Sequence, residues 1–370
     1  MEEVLFVSKP VAPPWNDSSK NLARDVAGHL RRHVPVLMGR PGQVNPIDRG
    51  RFEAVYPASV NGSFTPSLRD NLRVLKRLLL GQPADVWHFF FSPNRKSSAA
   101  GWLATAARKV PSVHTVCSMP PEGARWRDLS FADVTVALSR ASQDRFRAEG
   151  VPASALRLIP PCTPSREVPT AIERARLRRT LGLPESASIW IYPGDLEHGG
   201  GAAIALEGFA EWNRADAVLV MACRHKTVQA PVAQARLEAQ AKAWGIDARV
   251  RWVGQTPRIL ELLAVSDFVV MVNPTPYAKM DYPLVVLEAM ALGRTVVVGQ
   301  GTPCAELAED GGAWAVRTNG AALAEGIEGL SSDGALRASI EGTAHALSAT
   351  RFSPSAVASA YELLYEEIRT

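Results

Sequence analysis

From residue 188 to residue 316 the chain repeats one unit: a short run of β-branched and apolar residues, a turn, then a helical pattern. The runs are "SIWIYPGDL", "AVLVMACR", "ARVRWVG", "DFVVMV", "TVVVG" and "GAWAVR". Such runs are apolar on both faces, which suits strands of a parallel sheet covered by helices on each side. The first half repeats the alternation, with "VLFVSKP", a helix over about 19–32, "VPVLMG", a basic helix, "DVWHFFF", "PSVHTVC", "ADVTVALS" and "LRLIPPCTP". Strands alternating with helices predict an α/β fold with two Rossmann-like, doubly wound parallel domains. In such sheets ligands sit beyond the carboxyl ends of the strands, so two domains face to face would form one deep cleft.

The 370 residues exceed one ordinary core and suit two domains. We expect domains over 1–164 and 187–352, a proline- and charge-rich linker carrying one helix over 165–186, and a final amphipathic helix over 353–370. No apolar run approaches the ~20 residues of a membrane span. "MEEVLFVSKP" has acids where a signal peptide has bases, and the four cysteines (Cys117, Cys162, Cys223, Cys304) show no metal-ligand spacing. These features lead us to expect a cytoplasmic protein, and the two N-glycosylation patterns at Asn16 and Asn61 are read as chance. Net charge is only +4, and no nucleic-acid partner is expected. Residues 68–81, "LRDNLRVLKRLLLG", gather Arg69, Arg73, Lys76 and Arg77 largely on one side and leucines on the other. That pattern is more often an ordinary helix packed on a sheet with a solvated basic face, and it also suits a helix lying on an anionic membrane at its inner face.

In "KMDYPLVVLEAMALGRTVVV", residues 279–298, Pro283 suits a first helical position and Gly293 a stop, and Glu288 is the lone charge between them. A helix apolar all round is expected to be buried, and a buried carboxylate needs hydrogen-bond donors from protein or ligand.

The segments "RVRWVGQTP", "LLAVSDFVVMVNPT", "YPLVVLEAMALGRTVVVG" and "GTPCAELAEDGGAWAV" resemble, in order and spacing, the family-4 retaining glycosyltransferases of the GT-B fold. Weaker echoes, "PPW", "DVWH", "PSVHTV", "ADVTVALS" and "GVPASALRLIPPCTP", extend the resemblance over nearly the whole chain. It implies two Rossmann-like domains facing across a cleft, the acceptor on the N-terminal side and a nucleoside-diphosphate sugar on the C-terminal side. It also implies a last helix packing back on the N-terminal domain.

The resemblance assigns Glu288, the second glutamate of an E-x7-E pair, to the donor ribose. The free N–H groups at Leu284 and Val285 are suited to a diphosphate, and Gly254 and Thr302 mark turns where backbone could approach the donor. Three departures stand out. The first glutamate falls on Met280, leaving Asp281 as a substitute carboxylate or as a helix cap. The family's basic pair is missing from the turn "YPGDLEHGGGA", which offers Asp195, Glu197 and His198, so Arg224, Lys226, Lys279 and Lys20 become the candidates to meet diphosphate charge. The family's cleft histidine is replaced by Cys117, leaving His88 and His114 as polar cleft candidates or satisfied interior histidines.

On the acceptor side, "PPWNDSSKN" brings Asn16, Ser18 and Ser19 near the start of a helix that the two serines could cap. Lys20 lies in its first turn, where a cation opposes the dipole unless an anion is present. His88, Asp281 and Lys20 are the catalytic candidates. No D-x-D pair occurs, so no metal and no cofactor are expected, only the nucleotide sugar as substrate. The resemblance implies retention through front-face attack, the donor's β-phosphate helping to take the acceptor proton. The acceptor, a glycan, a lipid-linked molecule or a small molecule, is not specified. Two other readings stay open: a sugar-nucleotide-binding scaffold without turnover, and another GT-B enzyme such as a sugar-nucleotide epimerase.

Overall fold

A computed structural model describes residues 1–370 except 59–63, 65, 121–123, 198, 276–278 and 370. The Asn61 glycosylation pattern and His198 therefore lie outside the described residues. The chain divides into two compact units. The first comprises 1–163, Lys279–Tyr282 and Arg351–Thr370, and the second comprises 164–278 and 283–350.

In the first unit the described strands are β1 (Glu2–Val7), β2 (His33–Gly39), β3 (Arg51–Ala54), β4 (Val86–Phe91), β5 (Ser112–Val116), β6 (Val134–Ala137) and β7 (Leu156–Leu158). They form one parallel sheet in the order β3-β2-β1-β4-β5-β6-β7, with Val4 opposite Val86 at the centre. The order reverses between β1 and β4, which opens a crevice at their carboxyl ends. Val4, Leu5, Phe6, Val86 and Phe90 are fully buried, as expected of strands covered on both faces.

The last helix, Pro354–Glu367, packs in this unit beside the helix Ser18–His29. Glu362 anchors it: its Oε1 accepts from the backbone N–H groups of Arg31 (2.7 Å), Arg32 (2.5 Å) and His33 (3.2 Å). Burial would raise this carboxyl, and the three amides with the Arg32 guanidinium outweigh burial and hold it low.

In the second unit the strands are β8 (Ser188–Tyr192), β9 (Ala217–Met221), β10 (Val250–Trp252), β11 (Phe268–Met271), β12 (Thr295–Gly299) and β13 (Trp314–Val316). All are parallel, in the order β10-β9-β8-β11-β12-β13, with the switch point between β8 and β11. Residues 165–186, expected as a linker, fold with this unit. The reason is Arg178 of the helix Ala171–Thr180, whose buried guanidinium bonds the carbonyls of Val265, Glu185 and Ala187 and the Asp267 carboxylate. Among the described residues no helix is long and apolar enough to cross a membrane.

Candidate functional site

The second unit gathers its candidates at the carboxyl ends of β8, β9, β11 and β12. After β8 the turn "YPGDLEHGGGA" closes on glycines that must be glycines. Gly199 and Gly200 have φ of 79° and 69°, and a Cβ on Gly201 would lie 2.1 Å from Asn273 Oδ1. The Tyr192 hydroxyl ties the turn together, lying 3.2 Å from both the Asp195 carbonyl and Asn273 Oδ1. The helix Gly201–Trp212 begins here without a side-chain cap.

Of the four cations expected to meet diphosphate charge, Arg224 and Lys226 face this turn. Arg224 Nε lies 3.9 Å from Asp195 Oδ1 and Lys226 Nζ lies 3.6 Å from Asp195 Oδ2, and a backbone bridge joins Asp195 to Arg224. Glu197 Oε1 accepts from the Thr227 N–H at 2.9 Å, so the acidic turn is fastened to the loop after β9. Thus the turn without a strong base of its own draws two from the neighbouring strand.

The helix with the lone glutamate runs Leu284–Ala291. Pro283 stands at its N-cap, one place earlier than expected, with φ −54° and ψ 133°, and no side chain caps the first turn where Leu284 and Val285 lie. Asp281 is therefore not the cap of this helix. Nor is the helix buried all round: Val285 and Glu288, three residues apart on one face, are only half-buried. Glu288 is thus a carboxylate at a helix flank rather than an enclosed charge. Thr302 turns inward, its hydroxyl donating to the Gly299 carbonyl at 2.7 Å. Gly254, with φ 68°, follows the edge strand β10, and β9 separates it from β8 and its turn.

In the first unit a second group stands at the carboxyl ends of β1, β5 and β6. Asp17, not Ser18 or Ser19, caps the helix Ser18–His29, accepting from the N–H groups of Ser19 (3.1 Å) and Lys20 (3.4 Å). The Ser19 hydroxyl also donates to Asp17, at 2.6 Å, while Ser18 and Asn16 remain half-buried nearby. Lys9 pairs with Asp17 at 2.5 Å. Burial would raise the Asp17 carboxyl, but the Lys9 ammonium, the Ser19 hydroxyl and the Lys20 amide outweigh it and bring it down to about 2.

Lys20 is buried, its ammonium donating to the Ala12 carbonyl at 2.7 Å and lying 5.7 Å from the Trp15 ring. Burial lowers its pKa to about 8; Asp17 opposes the shift, and Lys9, Arg40 and Arg24 add to it. The cation that opposes the helix dipole is thus held by a carbonyl and a nearby carboxylate.

Asp281, in the short segment Lys279–Tyr282, is buried and accepts a 2.6 Å hydrogen bond from the Ser139 hydroxyl at the end of β6. Met280 beside it is buried, so the first glutamate of the family pair has no carboxylate counterpart at its own position, and Lys279 is half-buried. Burial pushes the Cys117 thiol up, with Asp17 and Asp281 adding to the rise, which marks all three as neighbours.

The structure places both histidines in the interior. His88 lies inside β4, fully buried, with Nδ1 2.6 Å from the Tyr365 hydroxyl and Nε2 2.7 Å from the Thr115 hydroxyl. Burial, with a smaller contribution from His114, drives its pKa well down. With both ring nitrogens engaged in the interior, His88 joins the last helix to the sheet, which is the satisfied interior histidine of the two readings. His114 is also buried, against the rings of Phe91 and Phe131, with Nε2 3.1 Å from the Phe91 carbonyl and a pKa lowered by burial to about 4. It too is an interior residue rather than one that meets an acceptor.

Two family profiles match the chain: "Glycosyl transferase 4-like domain" over residues 23–162 and "Glycosyl transferases group 1" over residues 173–346. The chain is a family-4 glycosyltransferase of the GT-B fold. Curated protein sequences give no match. Among solved structures, this glycosyltransferase is similar to Anabaena HepE in complex with UDP and glucose, with 19% identity, 99% of this chain and 100% of that chain covered, and a TM-score of 0.77. It is also similar to the sucrose-phosphate synthase of Thermosynechococcus elongatus (18% identity, 100% and 99% covered, TM-score 0.77). WaaG, a glycosyltransferase involved in lipopolysaccharide biosynthesis, aligns at 15% identity over 97% and 99% of the two chains with a TM-score of 0.69.

Sequence reasoning about this glycosyltransferase missed Ser139, Lys9 and Asp17 as members of the first group and Asn273 as the support of the glycine turn. Ser139 ends the run "ADVTVALS" and Asp17 precedes a helical pattern, so both carried the signal of a helix cap. Asn273 follows "DFVVMV" at a switch-point strand, which is where a turn-supporting amide would be sought.

Proposed function

We propose that this glycosyltransferase moves a sugar from a nucleoside-diphosphate sugar, held by the second unit, to a hydroxyl acceptor held by the first, with retention and without a metal ion. The observation that carries the proposal is the helix Leu284–Ala291: its first turn has no side-chain cap, and Glu288 is half-buried one turn further on. Open N–H groups and the helix dipole suit a diphosphate, and a carboxylate one turn away suits the ribose hydroxyls of the same ligand. Arg224 and Lys226, beside the glycine turn, supply charge for the phosphates. The HepE structures with UDP and with UDP-glucose give the same class of ligand on the same fold.

Under this reading the acceptor hydroxyl enters on the side of Lys20, Asn16, Ser18 and Ser19, and Asp281 with Ser139 fixes the segment next to it. Retention follows from front-face attack in which the departing β-phosphate receives the acceptor proton, so that no side chain needs to act as the base. The developing negative charge on the leaving diphosphate is met by Arg224, Lys226 and the helix start.

Two observations favour a second reading, a sugar-nucleotide-binding scaffold without turnover. Asp195 already engages both cations, and Met280 replaces a family carboxylate. A thermal-shift screen against UDP-, GDP-, ADP- and TDP-sugars identifies the donor, since a ligand that binds the native state raises its apparent stability. Transfer to a broad acceptor panel, with the product anomer read by NMR and with chelator present, then tests turnover, retention and metal independence. Tight binding with no turnover supports the scaffold. An inverted product or loss of transfer with chelator overturns the corresponding part of the proposal.

A further inference from the structure

The helices Leu68–Leu80 and Arg95–Arg108 lie side by side on one face of the first sheet. The Arg108 guanidinium at the end of the second reaches the carbonyls of Leu79 (2.7 Å) and Gly81 (3.5 Å) at the end of the first, so the two run in the same direction. The first helix buries Leu78 and packs Val74, Leu75 and Leu79 on the core formed with Trp87 and Phe89. That accounts for its inner side and leaves its outer side unexplained.

Exposed apolar residues remain on both helices. Leu68 is 71% exposed and Leu72 54%, and on the neighbouring helix Trp102 is 62% exposed and Leu103 47%. A solvated helix face has no physical need for these side chains, least of all a tryptophan. The charges among them are one-sided. Asp70 is the only acidic residue in the two helices, and it is consumed by the cap at Ser67 and by Arg73. Arg77 is consumed by Glu53. Arg69, Lys76, Arg95 and Lys96 are exposed, and Lys109 extends the same charge beyond the second helix.

The geometry points to a docking face for an anionic lipid bilayer, formed by both helices together. Two parallel helices give a broad face rather than a groove, which suits a planar surface. Leucines and a tryptophan can enter the headgroup boundary, while the cations lie at the level of lipid phosphates. Charge complementarity selects the partner: a neutral apolar protein surface would leave five cations unopposed, whereas an anionic leaflet meets all of them. This goes beyond sugar transfer and holds whether or not the donor assignment is right.

The test is flotation of the full chain with vesicles. We expect binding to phosphatidylcholine vesicles containing phosphatidylglycerol, little binding to pure phosphatidylcholine, and loss as salt is raised, because screening shortens the reach of exposed charges. Each of Arg69→Gln, Lys76→Gln, Arg95→Gln and Lys96→Gln should weaken binding about fivefold. The pair Trp102→Ser and Leu103→Ser should weaken it while thermal unfolding stays unchanged, as these side chains are exposed. A Trp102→Cys variant carrying an environment-sensitive dye should shift its emission to the blue on the anionic vesicles only. The inference is overturned if the chain fails to float with half-anionic vesicles at low salt or binds neutral vesicles equally well. It is also overturned if the charge variants bind undiminished, or if duplex DNA competes as strongly as an equal charge of lipid.

Discussion

The Ser139 hydroxyl donates a 2.6 Å hydrogen bond to the Asp281 carboxylate, although 142 positions separate them in the chain. Both side chains are buried. Ser139→Ala would leave a buried carboxylate short of a donor, and we expect a loss of about 1–3 kcal/mol in denaturant unfolding. Asp281→Asn keeps an acceptor for the hydroxyl and should cost less. Equal losses for the two variants would show that the carboxylate charge matters more than this hydrogen bond.

Asp195, in the turn after β8, faces the cations Arg224 and Lys226 at 3.9 and 3.6 Å, with both cations about a third exposed. Pairs of that kind are worth roughly 0–1 kcal/mol, so a diphosphate can displace the carboxylate. Asp195→Asn should therefore tighten nucleoside-diphosphate binding several-fold and steepen its salt dependence, as measured by titration calorimetry. Arg224→Gln with Lys226→Gln should weaken it. Weaker binding in Asp195→Asn would mean that the carboxylate is needed to aim the cations.

Lys20 carries a pKa of about 8 against an ordinary 10.5, lowered first by burial. Below about 8 the folded protein holds the charged amine, and the charge is lost as pH rises through that value. If this charge serves the reaction, kcat/KM should fall on the alkaline side with a midpoint near 8, and Lys20→Arg should move that fall upward. An alkaline limb unaltered by Lys20→Arg would remove Lys20 from the reaction. The sign for stability is opposite: between about 8 and 10.5 the unfolded chain binds more protons, so this group stabilises the fold as pH rises.

Asp17 behaves in the reverse sense. Its carboxyl is held at about 2 against 3.8, so its stabilisation is present above 3.8 and is lost as pH falls toward 2. At about 1.4 kcal/mol per unit the loss is roughly 2 kcal/mol. Asp17→Asn should unfold more easily at pH 7 and show a flatter acid limb in urea titrations. Glu362, whose carboxyl is also held low, should add to the acid limb of the wild type, and Glu362→Gln should remove that share.

The fold was legible because parallel strands buried on both faces leave uninterrupted apolar runs: "TVVVG" became β12 and "SIWIY" became β8. The edge strand β3, "RFEA", left no such run, since apolar and charged residues alternate in it and none is buried. The site was legible only where the deciding contact is local. Arg224 and Lys226 could be placed beside the glycine turn because both follow one strand, and Glu288 stood out because it is the lone charge of its helix. The place of His88 stayed undecided in the sequence because the groups that satisfy it, Thr115 and Tyr365, are 27 and 277 residues away. The half-burial of Glu288 was misjudged for a similar reason: the composition of a helix does not say which of its faces the neighbouring elements leave open.

If the second unit binds a nucleoside diphosphate with Glu288 on its ribose, calorimetric titration of wild type and Glu288→Ala with the nucleotide that gives the largest thermal shift will separate the two proteins. Loss of a charged hydrogen-bond acceptor predicts affinity weakened about 10- to 100-fold with the fold kept. Equal affinity in the two proteins would contradict the account.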